Sequence, residues 1–382
     1  MNRPRKEDTQ FLKIKKDHAD EFLKLIKKKF SDVNIVDKRK KVIHSGSYVL
    51  FPLTKNFENV NKFIESEVID LKFEIINTYG ELDPNYKFRS LEEALVDEVP
   101  ANIIELTPKS YDVIGKIAII EFDQYGALNI DEISLYKKKV AEAIAKVNKG
   151  VNAVYEKKSE VKGKYRLKDL QLIFGEDNPE TIHKENNCVF KLDVKNTYFT
   201  PRLVFERKRL SLLKYAKKEL IVDMFAGVGP FSIQIAKNHE VKVYSFDINP
   251  LAYKYLIENV KLNKLKGKIS PHNIDVADLT YSSIELGFKL KNHVDRIIMN
   301  LPEQSINYVE LACFMMKKTG GILHFYQFCE KPNPIEKGIE NLRIKLNGVG
   351  WSLEEIFKSK IVKAFSPKSD LIVLDAKIKR IP

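Results

Sequence analysis

The chain has 382 residues, 44% hydrophobic and 31% charged, long enough for two or three domains and composed like a folded, water-facing protein rather than a disordered or fibrous one. Lys and Arg total 65 against 52 Asp and Glu, a net charge of +13, which predicts a polyanionic partner because phosphate neutralisation supplies most nucleic-acid affinity. Three separated cysteines, Cys188, Cys313 and Cys329, exclude a disulfide framework and a zinc module.

No apolar run approaches the ~18 residues that span a bilayer. The charged start "MNRPRKEDTQ" has no apolar secretion core. The expectation is a cytoplasmic protein with no membrane contact. No metal-ligand cluster is visible, no protein partner is implied, and a monomer is expected.

In chain order, "FLKIKK" reads as a strand and "DHADEFLKLIKKKF" as a helix, with Asp17 as N-cap and Phe22, Leu23, Leu25, Ile26 and Phe30 on its apolar side. "SYVLFPL" is a second strand. Residues 1–50 hold 14 Lys/Arg against 7 Asp/Glu, so a basic α/β module is expected over 1–70. Residues 56–90, with "NTYGELDPNYKF", read as a connection.

A capping box at Ser90 and Glu93 opens a small α+β middle domain, expected over 71–185. It contains the strand "KIAIIEF" and the amphipathic helix "ISLYKKKVAEAIAKVN", with a basic cluster at Lys137 to Lys139, followed by extended, basic chain to "LIFGE".

From 186 to 382 strands and helices alternate: "CVFKLDV", "TPRLVFERKRLSLLKYA", "LIVDMF", "PFSIQIAKNH", "KVYSFDI", "PLAYKYLIENVKLNKL", "ISPHNID", "DRIIMNLP", "INYVELACFMMKK" and "GGILHFYQF". That alternation predicts a Rossmann-like parallel sheet with helices on both faces. "FKSKIVKAF" and "DLIVLDAKI" add two antiparallel strands at its edge.

The loop "VDMFAGVGPFSI" follows the first strand of that sheet. Ligands of such sheets bind outside the carboxyl ends of the strands, and Gly227 and Gly229 allow positive φ and close approach. GxGxxG fails at Ser232 and no GK[ST] follows, which speaks against a nicotinamide enzyme and a P-loop. Asp247, 24 residues after Asp223, is placed to accept ribose hydroxyls. Asp275 is placed to meet an adenine amino group, and Asn300 to Pro302 form an Asn-x-Pro strand end. Together these four features look like a class I S-adenosylmethionine methyltransferase, and Asn-x-Pro points to an N–H acceptor.

The sequence resembles the archaeal and eukaryotic type of tRNA (guanine-37 N1)-methyltransferase. The resemblance rests on "YRLKDLQLIFGEDNPETIHKENNCVFKLDV", "YFTPRLVFERKRL", "VDMFAGVGPFSI", "DINP" and "NLP". It implies S-adenosylmethionine as cofactor and tRNA as partner, the anticodon loop offering guanine 37 and the N-terminal module touching the elbow. It implies Glu206 as general base, Arg166 neutralising charge on guanine O6, and Asn300 and Pro302 in the acceptor motif. Arg207, Asp223, Phe225, Gly227, Gly229, Asp247, Ile248, Asn249, Asp275, Val276 and Asn300 would meet the cofactor, and Tyr198 and Arg202 the substrate. The tail "AFSPKSDLIVLD" departs from the family pattern at Asp370, where an aromatic-histidine pair is expected.

The chemistry suits these residue types. Guanine N1 is protonated at neutral pH, and removing its proton drives charge to O6, so a carboxylate and a guanidinium form a sensible pair. The base must leave its stack to be reached. Other readings stay open: Glu206 could pair with Arg209 or Arg202, Arg166 could be a phosphate contact, and His183 fits a capping or core role. The acceptor could instead be carbon 7 of a wyosine precursor at position 37. A non-catalytic RNA-binding protein is a third possibility.

Overall fold

The structure, a computed structural model, describes residues 7–29, 35–54, 72–122, 129–280 and 284–382. The chain divides into two units, Met1–Arg89 and Ser90–Pro382.

In the first unit β1 (Glu7–Lys15), β2 (Ile43–Ser45), β3 (Tyr48–Pro52) and β4 (Phe73–Gly80) form an antiparallel sheet in the order β2-β3-β1-β4. Helix α1 (Lys16–Lys29) lays Phe22 against Phe51, ring centroids 5.4 Å apart, in a core with Leu12, Ile14 and Val49. Asp17 lies inside the first turn of α1, not ahead of it, and Leu23 faces solvent. Phe30 and residues 55–71 lie outside the described residues. The expected boundary at 70/71 is corrected: Phe73–Gly80 pairs along β1, Leu12 opposite Ile75, so this unit runs on to Arg89. The apolar and polar residues of that strand do not alternate, Ile75 and Ile76 running together and Asn77 falling on the face of Phe73 and Ile75, so a period-2 reading passes over it.

The second unit opens with α2 (Leu91–Leu95), capped by Ser90, whose Oγ accepts the Glu93 N–H at 3.1 Å, and with α3 (Ala101–Glu105). A small sheet β5-β6-β7-β8 follows: β5 (Tyr111–Ile114), β6 (Ile117–Ile120), β7 (Ala153–Lys157) and β8 (Leu170–Gly175). Between the parallel β6 and β7 runs α4 (Ile130–Val147), started by an Asn129–Glu132 capping box. The basic cluster on α4 is neutralised in part: Lys137 pairs with Glu156 at 2.6 Å and Lys139 with Glu98 at 2.9 Å.

β9 (Glu180–Glu185) and β10 (Cys188–Asp193) form a hairpin turned by Asn186 and Asn187, both at positive φ, as a tight hairpin turn of this hand requires. The expected boundary at 185/186 falls inside this hairpin, and Ser90–Pro382 is one unit. A two-stranded antiparallel element cannot be divided at its turn without losing its pairing.

A 3₁₀ turn (Pro201–Leu203) leads into α5 (Val204–Ser211), shorter than the helix expected there. Then β11 (Leu220–Asp223), α6 (Pro230–Asn238), β12 (Lys242–Phe246), α7 (Pro250–Leu262), β13 (Lys268–His272), α8 (Glu285–Leu290), β14 (Arg296–Met299), α9 (Val309–Met315) and β15 (Gly321–Glu330) alternate. Helix α10 (Pro334–Gly348) has no counterpart among the expected elements. β16 (Trp351–Ala364) and β17 (Ser369–Arg380) close the sheet. Its order is β13-β12-β11-β14-β15-β17-β16, parallel through β15 and antiparallel beyond. The chain leaves β13 and returns on the other side of β11, so the order switches at β11 and β14, where a crevice opens. Asp370, in β17, is buried beside Lys331 at 3.3 Å.

Candidate active site

At the carboxyl ends of β11, β12 and β14 lies a cavity of about 580 Å³, within the size range of small-molecule sites. The loop after β11 supplies Phe225 and Gly227, the end of β12 supplies Asp247, Ile248 and Asn249, the segment after β13 supplies Asp275 and Val276, and β14 runs into Asn300. The facing wall is Gly163 to Arg166, Tyr198 and Arg207. Thus four consecutive strand ends, the loop before β8, the segment before α5 and α5 itself meet at one hollow.

Asp247 joins two of those ends. Its Oδ2 accepts the Gly227 N–H at 2.7 Å and its Oδ1 the Asn249 N–H at 2.9 Å. Burial raises its carboxyl and these bonds oppose the rise. Asn249 caps α7 through Leu251 N at 3.0 Å and ties down Asn196 O at 2.8 Å. Asp275 accepts the Ala277 N–H at 3.0 Å. The rings of Phe225 and Tyr308 meet edge to face at 5.0 Å.

Gly227 sits at φ +56°, and a Cβ there would meet only Tyr198 O, at 3.6 Å. Its neighbour differs. Gly229, at φ +91°, caps α6, and a Cβ would lie 2.4 Å from Leu256 Cδ1. Gly229 is needed for packing and does not line the cavity. Asp223 is also set back: it is fully buried, accepts Ser232 Oγ at 2.7 Å, and is pushed up to about 6 by burial. It braces the glycine loop from beneath. Both depart from the expectation of direct ligand contact.

Arg166 reaches the cavity from a turn with φ +57°, its guanidinium 5.0 Å from the Tyr198 ring and its Nη1 2.5 Å from Glu303 Oε2. Arg207 is 2% exposed and makes a two-pronged pair with Glu185, Nε to Oε1 at 2.5 Å and Nη2 to Oε2 at 2.6 Å. It also donates to Thr200 O at 3.1 Å and stacks on Phe199. Gln234 donates to the same Glu185 at 2.7 Å. His183 accepts the Gly115 N–H at 3.1 Å and packs on Phe199, the structural role expected of it.

Glu206, Arg202 and Pro302 do not line the cavity. Glu206 is 1% exposed, and its Oε1 accepts from Arg209 (3.0 and 2.5 Å) and Tyr326 (2.8 Å), while Oε2 lies 2.6 Å from Lys360 Nζ. Burial would raise its carboxyl, but Arg209 and Lys360 outweigh that and hold it below its ordinary value. The helical pairing with Arg209 is therefore real. Arg202 donates to Asp112 at 2.7 Å outside the cavity. Pro302 is buried, its carbonyl accepting the Phe328 N–H at 3.2 Å, and it fixes the turn that presents Asn300.

Sequence reasoning did not reach Glu185, Glu303, Gln304 or Tyr308. An acid directly after Asn-x-Pro was the available signal for Glu303, and the Asn-Asn hairpin turn placed Glu185 at a strand end. Among the described residues, no group of His, Cys, Asp or Glu is arranged to hold a metal, and no helix is long and apolar enough to cross a membrane.

The hollow over Gly227, with the Asp247 carboxylate in its wall, suits a nucleoside carrying a short amino-acid tail, as S-adenosylmethionine does. Sheet order and site define a class I S-adenosylmethionine-dependent methyltransferase. The TRM5/TYW2 methyltransferase domain matches residues 181–351, and the TYW2 N-terminal domain matches 91–178. The chain belongs to the TRM5/TYW2 methyltransferase family.

It is 35% identical over 358 residues to the tRNA (guanine(37)-N(1))-methyltransferase Trm5b of Pyrococcus abyssi, covering 93% of this chain and 96% of that one. It is 31% identical over 289 residues to the tRNA(Phe) (4-demethylwyosine(37)-C(7)) aminocarboxypropyltransferase of Pyrococcus horikoshii, covering 75% of this chain and 96% of that one. Among solved structures, the complex of aTrm5 and tRNALeu has a TM-score of 0.71 at 30% identity, covering 96% of this chain and 99% of that chain.

Proposed function

We propose that this chain transfers a methyl group from S-adenosylmethionine to N1 of guanine 37 in tRNA. The observation that carries the reading is that Arg166, Tyr198 and Asn300 line the same cavity as Gly227, Asp247 and Asp275. Bound S-adenosylmethionine supplies an electrophilic methyl group. Asp247 would accept the ribose hydroxyls, Asp275 would accept the adenine amino group, and Phe225 and Val276 would line its pocket. The Trm5b likeness extends through the basic first unit, whereas the aminocarboxypropyltransferase likeness covers 75% of the chain, which favours N1 of guanine over carbon 7 of 4-demethylwyosine.

On the acceptor side the Tyr198 ring stacks on the flipped guanine and the Asn300 amide oxygen accepts from its N–H groups. Arg166 exchanges Glu303 for guanine O6, where charge collects as N1 loses its proton. Glu206, set back from the cavity in the free protein, takes that proton once the bound guanine reaches it. A carboxylate held by two cations is a weak base, so Glu206 acts once Lys360, 33% exposed at its side chain, turns to the incoming polyanion. The N-terminal unit holds the tRNA elbow, and the protein works as a monomer.

Labelled S-adenosylmethionine with transcripts carrying G37 or A37, followed by nucleoside analysis, tests the reading. Label in 1-methylguanosine, with G37 only, is expected. Label on carbon 7 of a 4-demethylwyosine transcript with none on G37 would replace it. Glu206→Gln should slow single-turnover transfer ~100-fold or more with cofactor affinity unchanged. A Glu303→Gln loss of that size with Glu206→Gln active would make Glu303 the base.

A further inference from the structure

Behind the Glu206 carboxylate a chain of buried polar groups crosses one face of the sheet, where His324 of β15 pairs with Asp375 of β17 and with Ile298 of β14. Arg209 of α5 donates to Glu206 Oε1 at 3.0 and 2.5 Å, and to Asp375, Nη1 to Oδ2 at 2.5 Å and Nη2 to Oδ1 at 3.2 Å. Asp375 Oδ1 lies 2.7 Å from His324 Nδ1, and His324 Nε2 lies 3.0 Å from Arg296 Nη1. Arg296 Nε ends the chain on Glu219 Oε1 at 2.5 Å. A guanidinium only donates, so His324 Nε2 accepts and its Nδ1–H donates to Asp375. Burial first, then Arg296 and Arg209, pull the His324 imidazole below its ordinary value against Asp375. With that ring neutral, the carboxylates of Glu206, Asp375 and Glu219 are matched by the cations of Arg209, Arg296 and Lys360.

The two oxygens of Glu206 are held differently. Oε1 takes three directed hydrogen bonds, two from Arg209 and one from the Tyr326 hydroxyl at 2.8 Å. Oε2 is buried without a directed hydrogen bond among the described residues and faces the Lys360 ammonium at 2.6 Å. A buried acceptor left without a donor is costly, and that lone pair is open to a proton once Lys360 turns away. We propose that Tyr326 and the His324–Asp375 pair, acting through Arg209, are positioning residues for the base: they hold Glu206 by Oε1 and leave Oε2 as the oxygen that takes the guanine N1 proton. This deepens, and rests on, the reading of Glu206 as that base. The N1–H bond breaks and an O–H bond forms at Oε2. The electron pair left on N1 attacks the methyl carbon, and the carbon–sulfur bond breaks with its pair going to sulfur. Asp375 shares the charge of Arg209, so Glu206 carries only part of that pull and keeps its basicity.

The test is single-turnover methyl transfer to a G37 transcript by full-length protein across pH 4.5 to 8, with Tyr326→Phe, Asp375→Asn, His324→Leu, His324→Asn and Glu206→Gln. Tyr326→Phe removes a donor to the ionised base, so the acidic limb of its profile should move up by about one pH unit, the worth of one hydrogen bond to a charged group. Asp375→Asn leaves Glu206 the whole charge of Arg209, so its limb should move down and its plateau should fall as the base weakens. His324→Leu should lower the plateau about tenfold, one charged hydrogen bond in the barrier. His324→Asn, whose amide N–H stands in for Nδ1–H, should recover most of that loss. Calorimetric affinity for S-adenosylmethionine and the half-saturating tRNA concentration should not change in these four variants. Limbs that coincide with wild type in Tyr326→Phe and Asp375→Asn while Glu206→Gln is slow would overturn the positioning role and leave the base in place. An equal loss of cofactor affinity would also overturn it. Glu206→Gln at the wild-type rate would remove the base itself.

Discussion

Asp247 Oδ2 accepts the Gly227 N–H at 2.7 Å, so the acid at the end of β12 also sets the loop after β11. Burial raises this carboxyl in the free protein. In the proposed site, ribose hydroxyls would donate to the anion and favour it. Cofactor binding therefore lowers the Asp247 pKa, and affinity should strengthen as pH rises from the ordinary carboxylate range through the raised value. Asp247→Asn should weaken binding ~10-fold or more near neutrality and flatten that rise. Calorimetry from pH 4.5 to 8 measures both, and a parallel rise in the variant would remove Asp247 from the site.

The two loop glycines should fail differently. Gly227→Ala places a methyl at the cavity wall with no clash under 3.6 Å, so cofactor affinity falls several-fold while stability drops by about 1 kcal/mol from the positive φ. Gly229→Ala drives a methyl to 2.4 Å from Leu256 and should cost about 1–3 kcal/mol of stability. Urea denaturation alongside cofactor titration separates the two.

Arg207 and Glu185 are each 2% exposed at the side chain. Removing one partner strands a buried charge, and Glu185→Ala should destabilise by about 3–5 kcal/mol. Arg207→Lys keeps the charge but loses the fork and should fall between. A double variant Glu185→Gln/Arg207→Met that is no less stable than either single variant would show that desolvation outweighs attraction in the pair.

Asp223 gives a stability signature in pH. Its folded carboxyl is pushed up to about 6, above an unfolded value near 3.9. The folded state thus binds this proton more tightly, and the group's contribution is greatest below pH 4 and declines as pH rises through 6. The decline should total on the order of 3 kcal/mol, from about two pKa units. Asp223→Asn should lack it, so the stability gap between wild type and variant should shift by that amount between pH 4 and 7 in guanidinium melts.

The methyltransferase sheet is legible because parallel strands are short apolar runs and their helices are amphipathic, and "VDMFAGVGP", Asp247 and Asn300 stand at strand ends that alternation alone locates. What escapes is what depends on contacts distant in sequence. Glu206 and Arg207 are adjacent in one helix, but successive helical positions point about 100° apart, and Arg207 faces the cavity while Glu206 turns to Tyr326 and Lys360. Glu185 reads as one more surface acid until the hairpin folds it onto Arg207, 22 residues on. Strand β4 escapes because its apolar residues do not alternate, and helix α10 because its flanks carry Pro and Gly, which read as loop.

The Glu185 carboxylate belongs to the hairpin but neutralises a guanidinium of the methyltransferase fold, with Gln234 of α6 as its second donor. The catalytic sheet has thus outsourced one of its counter-ions to the segment before it. A fragment beginning at residue 186 would lose Glu185 and leave Arg207 charged in a dry interior, so such a truncation should be insoluble however complete its cofactor motifs. A donor that swapped only this sheet into another protein would leave the salt bridge behind. The heritable unit of this enzyme is therefore larger than its sheet and cofactor loops, and the strand that makes it so supplies a counter-ion and no cavity-lining residue.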